Sequence, residues 1–582
     1  MVSNKLSPTL QLALRYERLL NEDFRSLYLS AGQAGRWEVV MQYTGPIETV
    51  ITSENIVVHD LNGGFAQIFI NKDQIGPLSD NPQVVYLGLP ARYEYININT
   101  GPICATELFG QNTTYNVTGE GVLLAIIDSG IDYRLPEFIN SDGRSRILYL
   151  WDQSLEGTEG TLEQGRVFTR DQIDAALALP SSEEQLQRVS SIDELGHGTA
   201  LASIAAASGN NRGVAPDCEM LIVKIGKVGS PAPRDVEVMG GIDFCIEKAK
   251  ELGRPLTILI AVGSNLTAHD GTAPLEQYIH ERYNSWLCNF VVGTGNEGDK
   301  GAHASGQLVE GQTQTIELLM EGDKIGYACC IWKPFTDSFT LSILAPTGES
   351  SDELNLLTPN RAYLFDRTAV LINFSEPTLS SGRQECYIIF QSQTGEPINP
   401  GIWRFSLRGD VVLQGGYNMW ASIVREVGDN TRFLNADTEI TLTSPATEQR
   451  ITSVGAYNGV TQQIAGFSGR GYTTGYELKP ELVAPGVSIS VVLPRDNNEE
   501  PVLSGTSMAS AFVAGAYVLL MQYGILQRGN VNLYGETLKT YLVRAARRPN
   551  MHAPYPNRSW GFGTLCIENA LLILSQVADR SQ

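Results

Sequence analysis

Gly121-Val-Leu-Leu-Ala-Ile-Ile-Asp-Ser-Gly-Ile-Asp132 is the stretch on which the fold turns. Val122 to Ile127 is a continuous apolar run, with no alternation that would leave one face polar. Such a run suits a strand buried on both faces, as strands are in a parallel sheet covered by helices. Asp128 then stands at the carboxyl end of the strand, where open α/β sheets carry their sites. Asp132, four residues on, reads as a surface or turn carboxylate.

Two motifs further along carry the partner chemistry. In Glu194-Leu-Gly-His-Gly-Thr-Ala-Leu-Ala-Ser203, His197 sits between two glycines, ahead of a small and apolar run from Ala200 to Ala207 that reads as a helix. In Gly505-Thr-Ser-Met-Ala-Ser-Ala511, Ser507 lies at a sharp bend before an apolar helix pattern from Met508 to Leu520. A helix N-terminus offers unpaired N–H groups and the positive end of the dipole, which suits developing negative charge. A serine becomes a nucleophile when a base is beside it and a third group orients the base. A fourth run, Val291-Val-Gly-Thr-Gly-Asn-Glu-Gly298, is an apolar strand ending at Gly295-Asn296. Singly, a strand-end Asp is a cap, Gly-His-Gly a loop and Asn-Glu-Gly a turn. The joint pattern carries the argument. The other five histidines (His59, His269, His280, His303 and His552) read as structural.

These four motifs, with the chain order Asp128, His197, Ser507, resemble those of the subtilisin-like serine proteases, the subtilase (S8) family; the order is that of subtilisin itself. The resemblance implies acyl transfer, with Ser507 as nucleophile, His197 as general base and acid, and Asp128 holding the imidazole. It implies that Asn296 and the Ser507 amide stabilise the oxyanion. It also implies that Ile258-Leu-Ile-Ala-Val-Gly-Ser-Asn265 walls the substrate cleft, with Ala261, Val262, Gly263 and Ser264 on one side and Thr294 and Gly295 opposite. Read for itself, Ile258 to Val262 is a core strand.

Composition fits a folded enzyme of two or three domains: 582 residues, 42% hydrophobic, 18% charged, with 57 glycines. The formal net charge of −22 argues against nucleic acid or an anionic membrane as partner. Met1-Val-Ser-Asn-Lys-Leu-Ser-Pro8 has no apolar core of the kind a secretory signal needs, and no run reaches the roughly 18 uninterrupted apolar residues of a membrane span. Eight scattered cysteines, with neither Cys-x-x-Cys repeats nor metal-ligand spacing, read as reduced thiols. The expected compartment is the cytoplasm of the producing cell, or the spore.

The organisation expected is an α/β, subtilisin-like parallel-sheet catalytic domain in two parts, 98–298 and 438–582, with an N-terminal α/β prodomain at 1–97 and an antiparallel β-sandwich at 299–437. In the first segment Trp37 to Tyr43 alternates as a strand, and Asp80-Asn-Pro-Gln-Val-Val-Tyr-Leu87 ends the unit. That end resembles a subtilase propeptide, which implies a folding assistant and inhibitor removed by self-cleavage near Tyr93, Tyr95, Ile96 and Asn97; the other reading is a permanent N-terminal domain. In the inserted segment Thr313–Leu319, Phe339–Leu344, Tyr387–Gln391 and Ile402–Leu407 are apolar alternations between turns, which suggests a sandwich. Only Trp332 and Trp403 are placed well inside its strands, so no tryptophan stripe suggests a sugar-binding surface.

A subtilase with such an insert, a long prodomain and no secretion signal resembles the clostridial Csp spore-germination proteases. That resemblance implies a jelly roll bracing prodomain and catalytic domain, and a protein substrate that is the precursor of a cortex-lytic hydrolase. The loop after the His197 helix is shorter than in many secreted subtilases and lacks the segment that supplies a tight calcium site there, so no structural Ca²⁺ is expected at that place; no other metal and no cofactor is expected. Some Csp relatives have lost triad residues and act without catalysis; a scaffold of that kind and a general intracellular subtilase are the alternatives.

Overall fold

The apolar run does enter a sheet. It forms the strand Leu123–Asp128, buried along its whole length and paired in parallel with Glu219–Lys224 on one side and Leu256–Ile260 on the other. The computed structural model describes residues 5–26, 28–29, 35–53, 55–95, 115–157, 165–209, 212–226, 233–322, 324–377, 381–423, 428, 430–495, 501–549 and 553–579. The chain divides into two units. The first comprises Met1–Glu94, Ser264–Pro274 and Asp299–Thr441; the second comprises Tyr95–Gly263, Leu275–Gly298 and Leu442–Gln582.

The second unit is built on a nine-stranded sheet. Its order is Gln463–Ile464, Thr452–Asn458, Cys288–Gly293, Leu256–Ile260, Leu123–Asp128, Glu219–Lys224, Ile147–Asp152 and Arg166–Thr169, with Leu482–Pro485 also pairing with Thr452–Asn458. The inner pairings are parallel and only the two short outermost strands run antiparallel. Helices His197–Ala206 and Thr506–Met521 pack against each other, and every residue of both is buried. By length and composition Thr506–Gln527 could cross a membrane, but 94% of its most apolar window is buried in this protein. The core of the second unit uses that surface.

The first unit holds two antiparallel layers and a small α/β element. A six-stranded sheet runs His303–Gln307, Gly416–Ala421, Gly326–Pro334, Arg383–Ser392, Thr368–Phe374 and Asn360–Phe365. A four-stranded sheet of Ser338–Leu344, Gly401–Val411, Thr313–Met320 and Arg432–Phe433 faces it. Leu318, Leu341, Trp403, Ile331, Ile388 and Met419 are among the side chains that form the core between the sheets. The opposite face of the six-stranded sheet is covered too. Cys330, Leu371, Tyr387, Ile389 and Trp420 share a second core with Leu10, Val39, Met41 and Ile68 of the N-terminal element. That element is a four-stranded sheet, Val57–Asp60, Phe65–Ile70, Trp37–Tyr43 and Val84–Gly88, flanked by helices that include Pro8–Tyr16. Polar ties line the same face: Asn373 Nδ2 donates to Gln11 Oε1 (3.1 Å) and the Asn21 amide to Gln391 Oε1 (2.7 Å).

Two sequence expectations need correction. Asp132 is not at the surface: it is 1% exposed and held by the Arg134 guanidinium at 2.7 Å and the Arg495 amide at 3.0 Å. Trp420 also lies within a sandwich strand, fully buried between the rings of His269 (4.0 Å, 9°) and His303 (4.8 Å, 14°). Ser264–Pro274 is counted with the first unit, where Asn265 Nδ2 donates to the Ala421 carbonyl at 3.2 Å. The seven cysteines among the described residues are buried and free; Cys104 lies outside them.

Candidate active site

Asp128 is the last residue of its strand, so its side chain leaves the sheet where the ladder stops. Its Oδ1 accepts the Ser129 amide at 2.8 Å and faces His197 Nδ1 at 2.7 Å. A carboxylate can only accept, so the proton between them belongs to Nδ1 and the ring is oriented with it. Both side chains are buried, His197 at 1% exposure and Asp128 at 0%. His197 opens the helix His197–Ala206, with Gly196 as its N-cap at φ 71°. That left-handed conformation is cheap only for glycine. On the other flank a Cβ at Gly198 would collide with the Gly130 carbonyl, so the helix start and the strand end meet without a side chain between them.

Ser507 is the second residue of the helix Thr506–Met521 and is fully buried. Its neighbour Thr506 sets Asn296. The Thr506 amide donates to Asn296 Oδ1 at 3.0 Å and the Thr506 hydroxyl lies 3.2 Å from the same oxygen. A backbone N–H can only donate, which fixes the oxygen on that side and leaves the amide nitrogen on the other. Asn296 Nδ2 is buried and has no hydrogen-bond partner among the described residues. The Gly295 amide donates to Thr506 Oγ1 at 3.1 Å, so the Gly295-Asn296 turn and the serine turn are stitched together. Thr294 is buried beside them, its carbonyl accepting the Thr443 amide at 3.1 Å.

Of the cleft residues expected from sequence, Val262–Gly263 forms a short strand following Ala261, and it pairs with the strand that ends at Tyr95. Ser264 opens the segment counted with the first unit. The Tyr95 ring lies 5.9 Å from the His197 ring, and its hydroxyl donates to the Ile225 carbonyl at 3.4 Å. Tyr93 is 2% exposed, whereas Ile96 and Asn97 lie outside the described residues. The sequence reading missed Ser129, Asp193, Thr199 and Thr506, which support the site from behind. The one local signal was Asp193 ahead of Gly-His-Gly-Thr, an acceptor side chain just before a helix.

Comparison with known proteins follows the same lines. The family described as the subtilase family matches residues 119–316 and 387–563, more than half the chain, and the Csp protease B prodomain family matches residues 4–91. The chain belongs to the subtilase family, and its N-terminal element is a Csp-type prodomain. The solved structure of the Clostridium perfringens CspB protease is similar at 31% identity and a TM-score of 0.72, covering 80% of this chain and 97% of that one. The subtilisin-like protease SBT3.5 of Arabidopsis thaliana is 23% identical over 79% of this chain, and the minor extracellular protease Vpr of Bacillus subtilis 22% over 81%. This chain spans 64% and 54% of the lengths of those two relatives.

Proposed function

We propose that this chain is a serine endopeptidase that cleaves its own prodomain and then activates a protein target by limited proteolysis. The observation that carries the reading is the buried Asp128–His197 pair at 2.7 Å, together with an oriented Asn296 amide nitrogen that has no partner among the described residues. Ser507 Oγ attacks a peptide carbonyl while His197 takes its proton and later returns it to the leaving amine. Asp128 keeps the ring in the tautomer that exposes Nε2 and stabilises the imidazolium. Asn296 Nδ2 and the Ser507 amide receive the oxyanion, aided by the N-terminal end of a 16-residue helix. Ala261, Val262, Gly263 and Ser264 on one side, with Thr294 and Gly295 on the other, would hold the extended substrate by its backbone.

Tyr95 beside His197 supports self-cleavage near that residue. On the Csp resemblance, the favoured target is the precursor of a spore cortex-lytic enzyme, and the favoured place of action is the spore. The scaffold alternative is disfavoured because Asp128, His197 and Ser507 are all present. Intact masses of the purified wild type and Ser507→Ala decide between them. Two fragments from the wild type, cut near residue 95, beside a whole mutant support the protease; two whole, folded proteins favour the scaffold.

A further inference from the structure

Asp193 lies four residues before His197, is 2% exposed, and has no part in the steps above. Its two oxygens take four hydrogen bonds. Oδ1 accepts the Ser129 hydroxyl at 2.7 Å and the Gly196 amide at 2.9 Å. Oδ2 accepts the Thr199 amide at 2.8 Å and the Thr199 hydroxyl at 2.6 Å. Each hydroxyl is in turn an acceptor, Ser129 Oγ from the Gly198 amide (2.9 Å) and Thr199 Oγ1 from the Asp132 amide (3.0 Å). With those lone pairs engaged, both hydroxyl protons point to Asp193. Four donors and no competing acceptor are what an ionised carboxylate requires. Burial, the largest influence, raises this carboxyl above the usual carboxylate range, with the Asp128 charge adding to the rise and the Thr199 and Ser129 hydrogen bonds opposing it. The four donors favour the ionised form against that rise.

The connectivity gives the carboxylate its meaning. Ser129 follows Asp128, and its amide donates to Asp128 Oδ1. Gly196 and Thr199 bracket His197. One buried group therefore ties the strand end that carries the acid to the turn that carries the base. We propose that Asp193 is a positioning residue of the catalytic pair, fixing His197 against Asp128 and adding a second negative charge near the imidazolium formed during acylation. The inference rests on the protease reading of the site. The charged groups around this network are Asp128 and His197 themselves, the Asp132–Arg134 pair reached through Thr199, and Lys224. The Lys224 amine donates to the Ile192 carbonyl and the Glu194 carboxylate and lies 3.8 Å from Asp152.

The test is labelling of the purified full chain with an alkyl fluorophosphonate. In that reaction Ser507 Oγ forms a bond to phosphorus, fluoride leaves with the P–F bonding pair, and His197 takes the serine proton. The maximal labelling rate, the half-saturating concentration and the pH profile are measured for wild type, Asp193→Asn and Ser129→Ala, with thermal unfolding alongside. Asp193→Asn is expected to lower the maximal rate by roughly ten- to a hundredfold, the size seen when outer partners of metal-bound histidines are removed. Half-saturation should hold, while the acid limb moves to lower pH because a negative charge near the imidazole is gone. Ser129→Ala cuts the tie but keeps the charge, so it should slow labelling without moving the limb. Asp193→Asn labelled at the wild-type rate with the wild-type limb, whatever its melting temperature, overturns the proposal. Should that variant fail to fold, Ser129→Ala labelled at the wild-type rate overturns it instead. A wild type labelled no better than Ser507→Ala sinks the protease reading, and this inference with it.

Discussion

At Asn296 the side-chain oxygen takes the Thr506 amide, and the nitrogen is left buried without a partner among the described residues. A buried unpaired donor costs on the order of 1–3 kcal/mol, a cost tolerable where the group serves chemistry. Asn296→Ala is accordingly expected to lower turnover by about 10²–10³, a magnitude known from a subtilisin, with the fold intact. Measured turnover within a fewfold of wild type removes Asn296 from the oxyanion site. His303 offers a second residue-scale test. Burial lowers its pKa from the usual value of about 6.5 to about 4, with Nε2 held by Asn418 Oδ1 at 2.9 Å. Between those two values the unfolded chain binds a proton that the folded one refuses. Its stabilising effect is thus full above about pH 6.5 and is lost as pH falls toward about 4. His59, also lowered by burial, acts in the same direction. The melting temperature of the first unit should fall over that window, and less steeply in His303→Gln. Equal slopes in the two proteins would exclude His303 as the cause.

At the scale of elements, the helix that carries Ser507 is placed by what it lacks. A Cβ at Gly515 would lie 2.6 Å from Val214 Cβ and 3.1 Å from the Ala205 carbonyl, at the end of the helix that carries His197. Alanine in place of glycine gains about 1 kcal/mol of helix propensity, but overpacking a full core costs about 1–3 kcal/mol. Backbone and a β-branched neighbour have little room to give, so Gly515→Ala should destabilise the second unit by about 1 kcal/mol. Chemical denaturation reads it, and a stability gain would mean the helices can part without cost. The strands of the sandwich show why apolar runs mislead. Along Arg383–Ser392, Cys386, Ile388 and Phe390 face the inner core, while Tyr387 and Ile389 join the core shared with the prodomain. The alternation read from sequence therefore separates two buried faces, not a wet one from a dry one.

For the molecule as a whole, the prodomain and the inserted sandwich share one hydrophobic core, so the first unit is built from segments hundreds of residues apart. Leu10 is fully buried there. Leu10→Ala should cost about 2–5 kcal/mol, as large-to-small core changes do. Amide hydrogen exchange should speed up together in Trp37–Tyr43 and in Arg383–Ser392, strands that both contribute to this core. Faster exchange confined to the prodomain strand would show that the two do not unfold as one.

The amino-acid sequence by itself determined the family, the parallel sheet, the insertion of a β-sandwich and the four motifs around Asp128, His197, Asn296 and Ser507. Each rests on short-range signals: an apolar run long enough for a strand, glycines where backbone must approach, a turn before a helix. It gave no sign that Asp132 is buried against Arg134 or that Thr506 orients an asparagine 210 residues away, and the place of Asp193 just before a helix did not show that it takes four donors. Nor did it reveal that Ser264–Pro274 joins the first unit, or that the sandwich is covered on its outer face. Those facts depend on which segments meet in space. A polar side chain in a turn has the same local pattern whether water or a distant backbone amide satisfies it, and only the packed fold decides which.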